Sequence, residues 1–138
     1  MVAITRLMSP SPVTVEPDDT LATVKEIFER VKFHQLPVVE DYKLVGLISD
    51  RDLLKALSPY LGSAAETSRD LATLKKRVHQ VMTRRPVTLP TSATIWDAVR
   101  LFNREGVSCI PIIDDQQRPL GILSWRDIMG ALDRDQQR

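Results

Sequence analysis

The sequence predicts an α+β fold: two βαββα repeats packed around a pseudo-twofold axis, with a bridging helix between the repeats. Three observations predict it. The segment GLISDRDLLKAL, Gly46 to Leu57, comes back as GILSWRDIMGAL from Gly121 to Leu132. Laying Met8 on Met82 aligns MSPSPVTVEPDDTLATVKEIF with MTRRPVTLPTSATIWDAVRLF and brings Pro37 onto Pro111, with one residue inserted before Gly121. Each copy then reads strand, helix, strand, strand, helix from its apolar spacing. The 138 residues suit one compact module, 1–138, because a unit of about fifty residues buries too little apolar surface to be comfortable alone. The repeats are placed at 7–57 and 81–132, with a linker helix at 58–80.

The first element of each copy is a short strand, Val13 to Val15 in the first, where β-branched side chains suit a pleated surface. A helix follows from Thr20, burying Leu21, Val24, Ile27, Phe28 and Val31. Its counterpart starts at Thr94 and buries Ile95, Ala98, Leu101 and Phe102. The apolar runs Leu36 to Val39 and Leu44 to Ile48 flank the polar turn Glu40 to Lys43 and predict a strand pair, repeated at Ile110 to Ile113 and Leu120 to Leu123. A last helix opens at Ser49 or Ser124. Leu53, Leu54 and Leu57, or Ile128, Met129 and Leu132, form its buried face. Between the copies, Ser63 with Glu66 reads as a capping box, and Leu71, Leu74 and Val78 supply the stripe of a bridging helix.

Composition narrows the partners. A net charge of +1, from 19 basic and 18 acidic residues, offers no broad basic field for nucleic acid or an anionic membrane. One cysteine, Cys109, excludes an internal disulfide and reads as a small apolar filler. The start MVAITRLMSPSP lacks the apolar run of a signal peptide, and no stretch approaches a membrane span, so a cytoplasmic location is the expectation. His34 and His79 share no metal-ligand spacing with Cys109.

The order of elements, the LPVV and IPII strands and the repeated segments with glycine, serine, arginine and aspartate in register resemble a tandem pair of cystathionine-β-synthase (CBS) domains, a Bateman module, here as a stand-alone protein. The resemblance covers nearly the whole chain. It implies a regulatory unit that is not an enzyme and needs no catalytic cofactor. Its clefts between repeats would bind an adenine nucleotide such as AMP, ADP or ATP as a regulatory ligand. It also implies a flat homodimer formed through helices, and Trp96, just off the buried helix face, suits such an interface. The regulated target would be a separate, unidentified protein.

The repeated segment contains chemistry suited to such a ligand. Asp52 or Asp127 offers two acceptor oxygens for the hydroxyls of a ribose diol. Ser49 or Ser124 stands at a helix start, where a hydroxyl and free N–H groups suit a phosphate. Arg51 and Arg126 add guanidinium groups for phosphate oxygens, although the neighbouring aspartates are equally available to them. Serine followed three residues later by aspartate is also close to a helix-capping box, and the two roles are compatible. From the family pattern, Val13, Phe33 and His34 would complete the Asp127 site, and Val87, Val107 and Ser108 the Asp52 site. TRRP leads into one repeat and SPSP into the other, so Arg84 and Arg85, if near Asp52, would make the two sites unequal. The competing reading is a structural dimerisation module without a functional ligand.

Overall fold

The computed structural model describes residues 3–136, which fall into two compact units: Val13–Arg85, and the residues up to Pro12 together with those from Pro86 onward. The chain opens with one helical turn, α1 (Ile4–Leu7), and a two-residue strand, β1 (Ser9–Pro10). Both belong to the unit that contains the second repeat. There follow α2 (Leu21–Arg30), β2 (Gln35–Glu40), β3 (Lys43–Ser49) and α3 (Asp50–Ala56). After α4 (Ser68–Ala72) and two 3-10 turns, at Thr73–Lys75 and Val78–Gln80, comes β4 (Thr83–Arg84). The chain continues as β5 (Leu89–Pro90), α5 (Ile95–Glu105), β6 (Cys109–Ile113), β7 (Pro119–Ser124) and α6 (Trp125–Gln136). The two-repeat α+β organisation is therefore as the sequence predicts.

In the Val13–Arg85 unit the sheet runs β2-β3-β4, and in the other it runs β1-β7-β6-β5. The short strand leading into each repeat thus pairs with the hairpin of the other: β4 with β3, at Gly46↔Arg84, and β1 with β7, at Gly121↔Pro10. This crossing explains the repeated glycine. A Cβ at Gly46 would stand 2.6 Å from Met82 Sδ and 2.9 Å from the Thr83 carbonyl oxygen; at Gly121 it would stand 2.5 Å from Met8 Sδ and 2.7 Å from the Ser9 carbonyl oxygen. Methionine can swing aside, but a backbone carbonyl held in a ladder cannot.

Next to each glycine the hairpin bulges. Val38 pairs with Gly46 but Val39 with Leu44, which leaves Val45 as the extra residue; Leu120 is its counterpart in β7. The bulged carbonyls find the same partner in both units. Arg85 and Ser11, with φ of 50° and 49°, turn left-handed and donate their N–H groups to Val45 and Leu120.

The cores match position by position. Val24, Val38, Ile48, Leu53 and Val78 in one unit correspond to Ala98, Ile112, Leu123, Ile128 and Ile4 in the other. Thr20 and Thr94 cap α2 and α5 as expected, the second with a full capping box through Asp97. That box holds the Asp97 carboxyl below its ordinary range. Of the faces assigned to these helices, Leu21, Val24, Ala98 and Leu101 are buried, and Ile27, Phe28, Ile95 and Phe102 pack half-buried against them.

Three sequence expectations need correction. The strand Val13 to Val15 shrinks to a single parallel bridge, Val15 to Val38. The chain leaves the sheet at Glu16, whose N–H is taken by the Asp19 carboxylate at 2.7 Å. The bridging helix is only the five residues of α4, capped by Thr67 and Asp70 instead of Ser63 and Glu66. Ser63 and Glu66 close a local turn with Tyr60 and Gly62, and Leu71 is exposed while Val78 is buried. Finally, Leu54, Met129 and Leu132 do not join the buried helix face: they are 72%, 54% and 47% exposed, while Leu53 and Ile128 carry the contact with the core.

Two outcomes are expected. Gly46→Ala and Gly121→Ala should each lower the unfolding free energy in urea by about 1–3 kcal/mol, the usual cost of overpacking. Adding Met82→Ala to Gly46→Ala should not restore stability, because the Thr83 carbonyl remains. Burial pushes the Cys109 thiol from its ordinary 9.0 up to about 12, so it stays protonated in the fold where the unfolded chain ionises. Native protein at neutral pH should therefore resist a thiol reagent that labels the denatured chain at once, and stability should fall as pH climbs from about 9.

Candidate functional site

Strand register gathers the sequence-nominated residues at one end of each sheet. In the Val13–Arg85 unit, β2 begins where β3 ends, with Gln35 opposite Ser49. The Asp50 N–H donates to the His34 carbonyl at 2.9 Å, and His34 Nδ1 lies 2.9 Å from Asp50 Oδ2. Phe33 and His34 thus sit beside the opening of α3. The parallel bridge at Val15 places Val13 toward the same end. In the other unit Cys109 lies opposite Ser124, which sets Val107 and Ser108 beside the opening of α6, and the parallel pairing of Leu89 with Ile112 sets Val87 toward that end. Phe33, His34 and Val13 are exposed, as are Arg51 and Arg126.

The serines and aspartates of the repeated segment form capping boxes in both units. Ser49 N–H donates to Asp52 Oδ2 at 2.9 Å, and Asp52 N–H donates to Ser49 Oγ at 3.0 Å. The corresponding distances for Ser124 and Asp127 are 2.8 Å and 3.2 Å. Each box satisfies two of the N–H groups left over at a helix start. Each carboxylate keeps Oδ1 without a hydrogen bond among the described residues, and each serine hydroxyl can still donate.

The arginines differ. Neither Arg51 nor Arg126 makes an ion pair or side-chain hydrogen bond among the described residues, so the neighbouring aspartates are not their partners. Glycine, serine and aspartate of the repeated segment each have a folding duty. The arginine, also in register, has none.

Arg84 and Arg85 stand elsewhere. Arg84 lies opposite Gly46, three residues before Ser49 along β3, which is about 10 Å at the usual rise. The two arginines line a pocket of about 380 Å³ with Pro17, Glu40, Leu44, Val45, His79 and Met82, toward the hairpin end of the sheet and away from Asp52. Unequal leader segments were visible in the sequence. Their position was not, because it follows from the crossing of β4 onto β3. No group of His, Cys, Asp and Glu fit to hold a metal occurs among the described residues, and no helix among them is long and apolar enough to cross a membrane.

Comparison with known proteins agrees with this architecture. The family model described as CBS domain matches residues 4–59 and 78–134. A CBS domain-containing protein of Dictyostelium discoideum is 32% identical over 133 residues, covering 95% of this chain and 91% of its own length. An inosine-5'-monophosphate dehydrogenase of Methanocaldococcus jannaschii is 33% identical over 118 residues, but the match takes in only 21% of that enzyme. Among solved structures, CBSX2 in complex with AMP superposes with a TM-score of 0.79 at 26% identity, covering 99% of both chains. The CBS domain pair of protein MJ0100, in complex with 5'-methylthioadenosine and S-adenosyl-L-methionine, has the same fold, with a TM-score of 0.79 at 24% identity and 98% of both chains covered. With its two matched repeats, its paired hairpins and its twice-used serine and aspartate caps, the chain belongs to the CBS-domain family.

Proposed function

We propose that the chain is a regulatory module in which each repeated serine-x-arginine-aspartate segment binds an adenine nucleotide, AMP, ADP or ATP. The observation that carries this reading is the pair Arg51 and Arg126: exposed, in register and without a protein partner among the described residues. A guanidinium offers a planar fork that fits phosphate oxygens. Asp52 and Asp127 would accept the ribose hydroxyls on Oδ1 while Oδ2 keeps the cap. The AMP complex of CBSX2, at 26% identity over nearly the whole chain, supports the ligand class. The nucleotide would act as a signal and not a reactant, and it would need different affinities for two conformations of the module, or for the module free and bound to a regulated protein, for any signal to pass.

The test is calorimetric titration of nucleotide-stripped protein with AMP, ADP and ATP. Arg51→Gln and Arg126→Gln are the informative variants because they leave the capping boxes intact. Each should weaken phosphate-dependent binding by about tenfold or more, as expected for a charge-assisted hydrogen bond. Folded protein that takes up none of the three nucleotides would overturn the reading.

A second reading, association into a homodimer, rests on the misassigned helix residues. Leu54 and Met129 occupy matching positions in α3 and α6 and are both largely exposed, and Leu132, Trp125 and Trp96 add exposed apolar area in the second unit. Apolar side chains set at equivalent places in both repeats suit contact with a second copy. Sedimentation velocity should show a dimer that Leu54→Glu with Met129→Glu converts to monomer. A wild-type chain that sediments as a monomer at high concentration would remove this reading while leaving nucleotide binding untouched.

A further inference from the structure

The pocket at the hairpin end of the Val13–Arg85 unit has no part in the capped segments, and its chemistry is distinct. Arg84, Arg85 and His79 line it together with the apolar Leu44 and Met82 and with Glu40. In a regular strand, consecutive side chains point to opposite faces, so Arg84 and Arg85 would diverge. The left-handed turn at Arg85, φ 50°, breaks that alternation, and both residues line one pocket. One Arg84 nitrogen donates to the His79 carbonyl at 3.1 Å, which fixes the guanidinium there and leaves its other N–H groups available. Neither arginine has a carboxylate partner among the described residues.

The second unit supplies an internal control. It has the same bulge, the same left-handed residue at Ser11 and the same N–H donation to the bulged carbonyl. Yet Thr5, Pro10 and Ser11 stand where the first unit has His79, Arg84 and Arg85. The backbone arrangement therefore does not require the three basic residues.

We propose that this pocket is an anion site for a phosphate monoester, separate from the serine-x-arginine-aspartate segments. Two guanidinium groups outweigh the Glu40 carboxylate of the lining, with Asp18 Oδ1 set 3.9 Å from His79 Nε2, and match the geometry of a phosphate dianion. A volume of about 380 Å³, at the lower end of small-molecule pockets, exceeds what a bare phosphate fills and leaves room for a compact apolar body against Leu44 and Met82.

The experiment is an NMR titration of the full chain with phenyl phosphate, carried out in protein bearing Arg51→Gln and Arg126→Gln so that failure of the nucleotide reading does not affect it. Saturable shifts are expected at the amides of Leu44, Val45, His79, Arg84 and Arg85. Arg84→Gln and Arg85→Asn should each weaken binding about tenfold; asparagine tolerates the left-handed turn, and an unchanged thermal midpoint would confirm the fold. Glu40→Gln should tighten binding several-fold. Absence of saturable shifts, shifts confined to residues 49–52, or binding by Arg84→Gln and Arg85→Asn as tight as by their parent protein would overturn the proposal.

Discussion

The backbone of residues 82–84 lies directly against Gly46, and that of residues 8–10 against Gly121, and most of the architecture depends on this close approach. With no Cβ between them, the leader strand of each repeat can join the hairpin of the other. Once it has done so, the hairpin must bulge beside the glycine, and the bulged carbonyl needs a donor, which the next residue of the leader provides only by turning left-handed. The repeated glycine, the bulges at Val45 and Leu120 and the unusual dihedrals at Ser11 and Arg85 are thus one structural event occurring twice. Burial of α1 through Ile4, and of the matching turn through Val78, follows from the same crossing, since each is carried into place by the leader strand behind which it sits.

In the proposed reading, the repeated segment distributes its residues between folding and recognition. A capping box uses one carboxylate oxygen and the acceptor side of one hydroxyl, so Asp52 and Asp127 have a structural role that does not consume their capacity to bind. Under the proposed nucleotide reading, loss of the aspartate would remove a helix cap and a ligand contact together. Arginine in the same segment carries no such ambiguity.

Duplication also makes the differences between the units informative. Glycine at the crossing, serine and aspartate at the cap and an aliphatic residue at each core position recur in both units because both fold by them. Where only one unit has a residue, the fold has been satisfied without it, and His79, Arg84 and Arg85 fall in this class. The exposed Leu54 and Met129 differ from both classes, being shared by both units yet outside either core.

Local rules sufficed for much of this. Helical period, capping threonines, the hairpins and the repeat itself were legible because each depends on residues close together in the chain, and the cystathionine-β-synthase resemblance followed from their order. The bridging helix was misread for a local reason: Ser63 and Glu66 have the spacing of a box but close a turn with Tyr60 and Gly62. Other features depended on pairings between distant segments. Residue spacing marks an apolar helix face but does not say how wide a strip the sheet will cover, so Leu54 and Met129 were assigned to a core that only Leu53 and Ile128 reach. By itself the sequence determined that there are two similar repeats, the hairpin and two longer helices of each, and the residues that cap those helices. Only the tertiary structure decided that the leader strands cross to the opposite hairpins and that Arg84 and Arg85 end up beside Glu40 and Leu44, because strand pairing across dozens of residues is selected by the packing of the whole sheet and leaves no periodic trace in the chain.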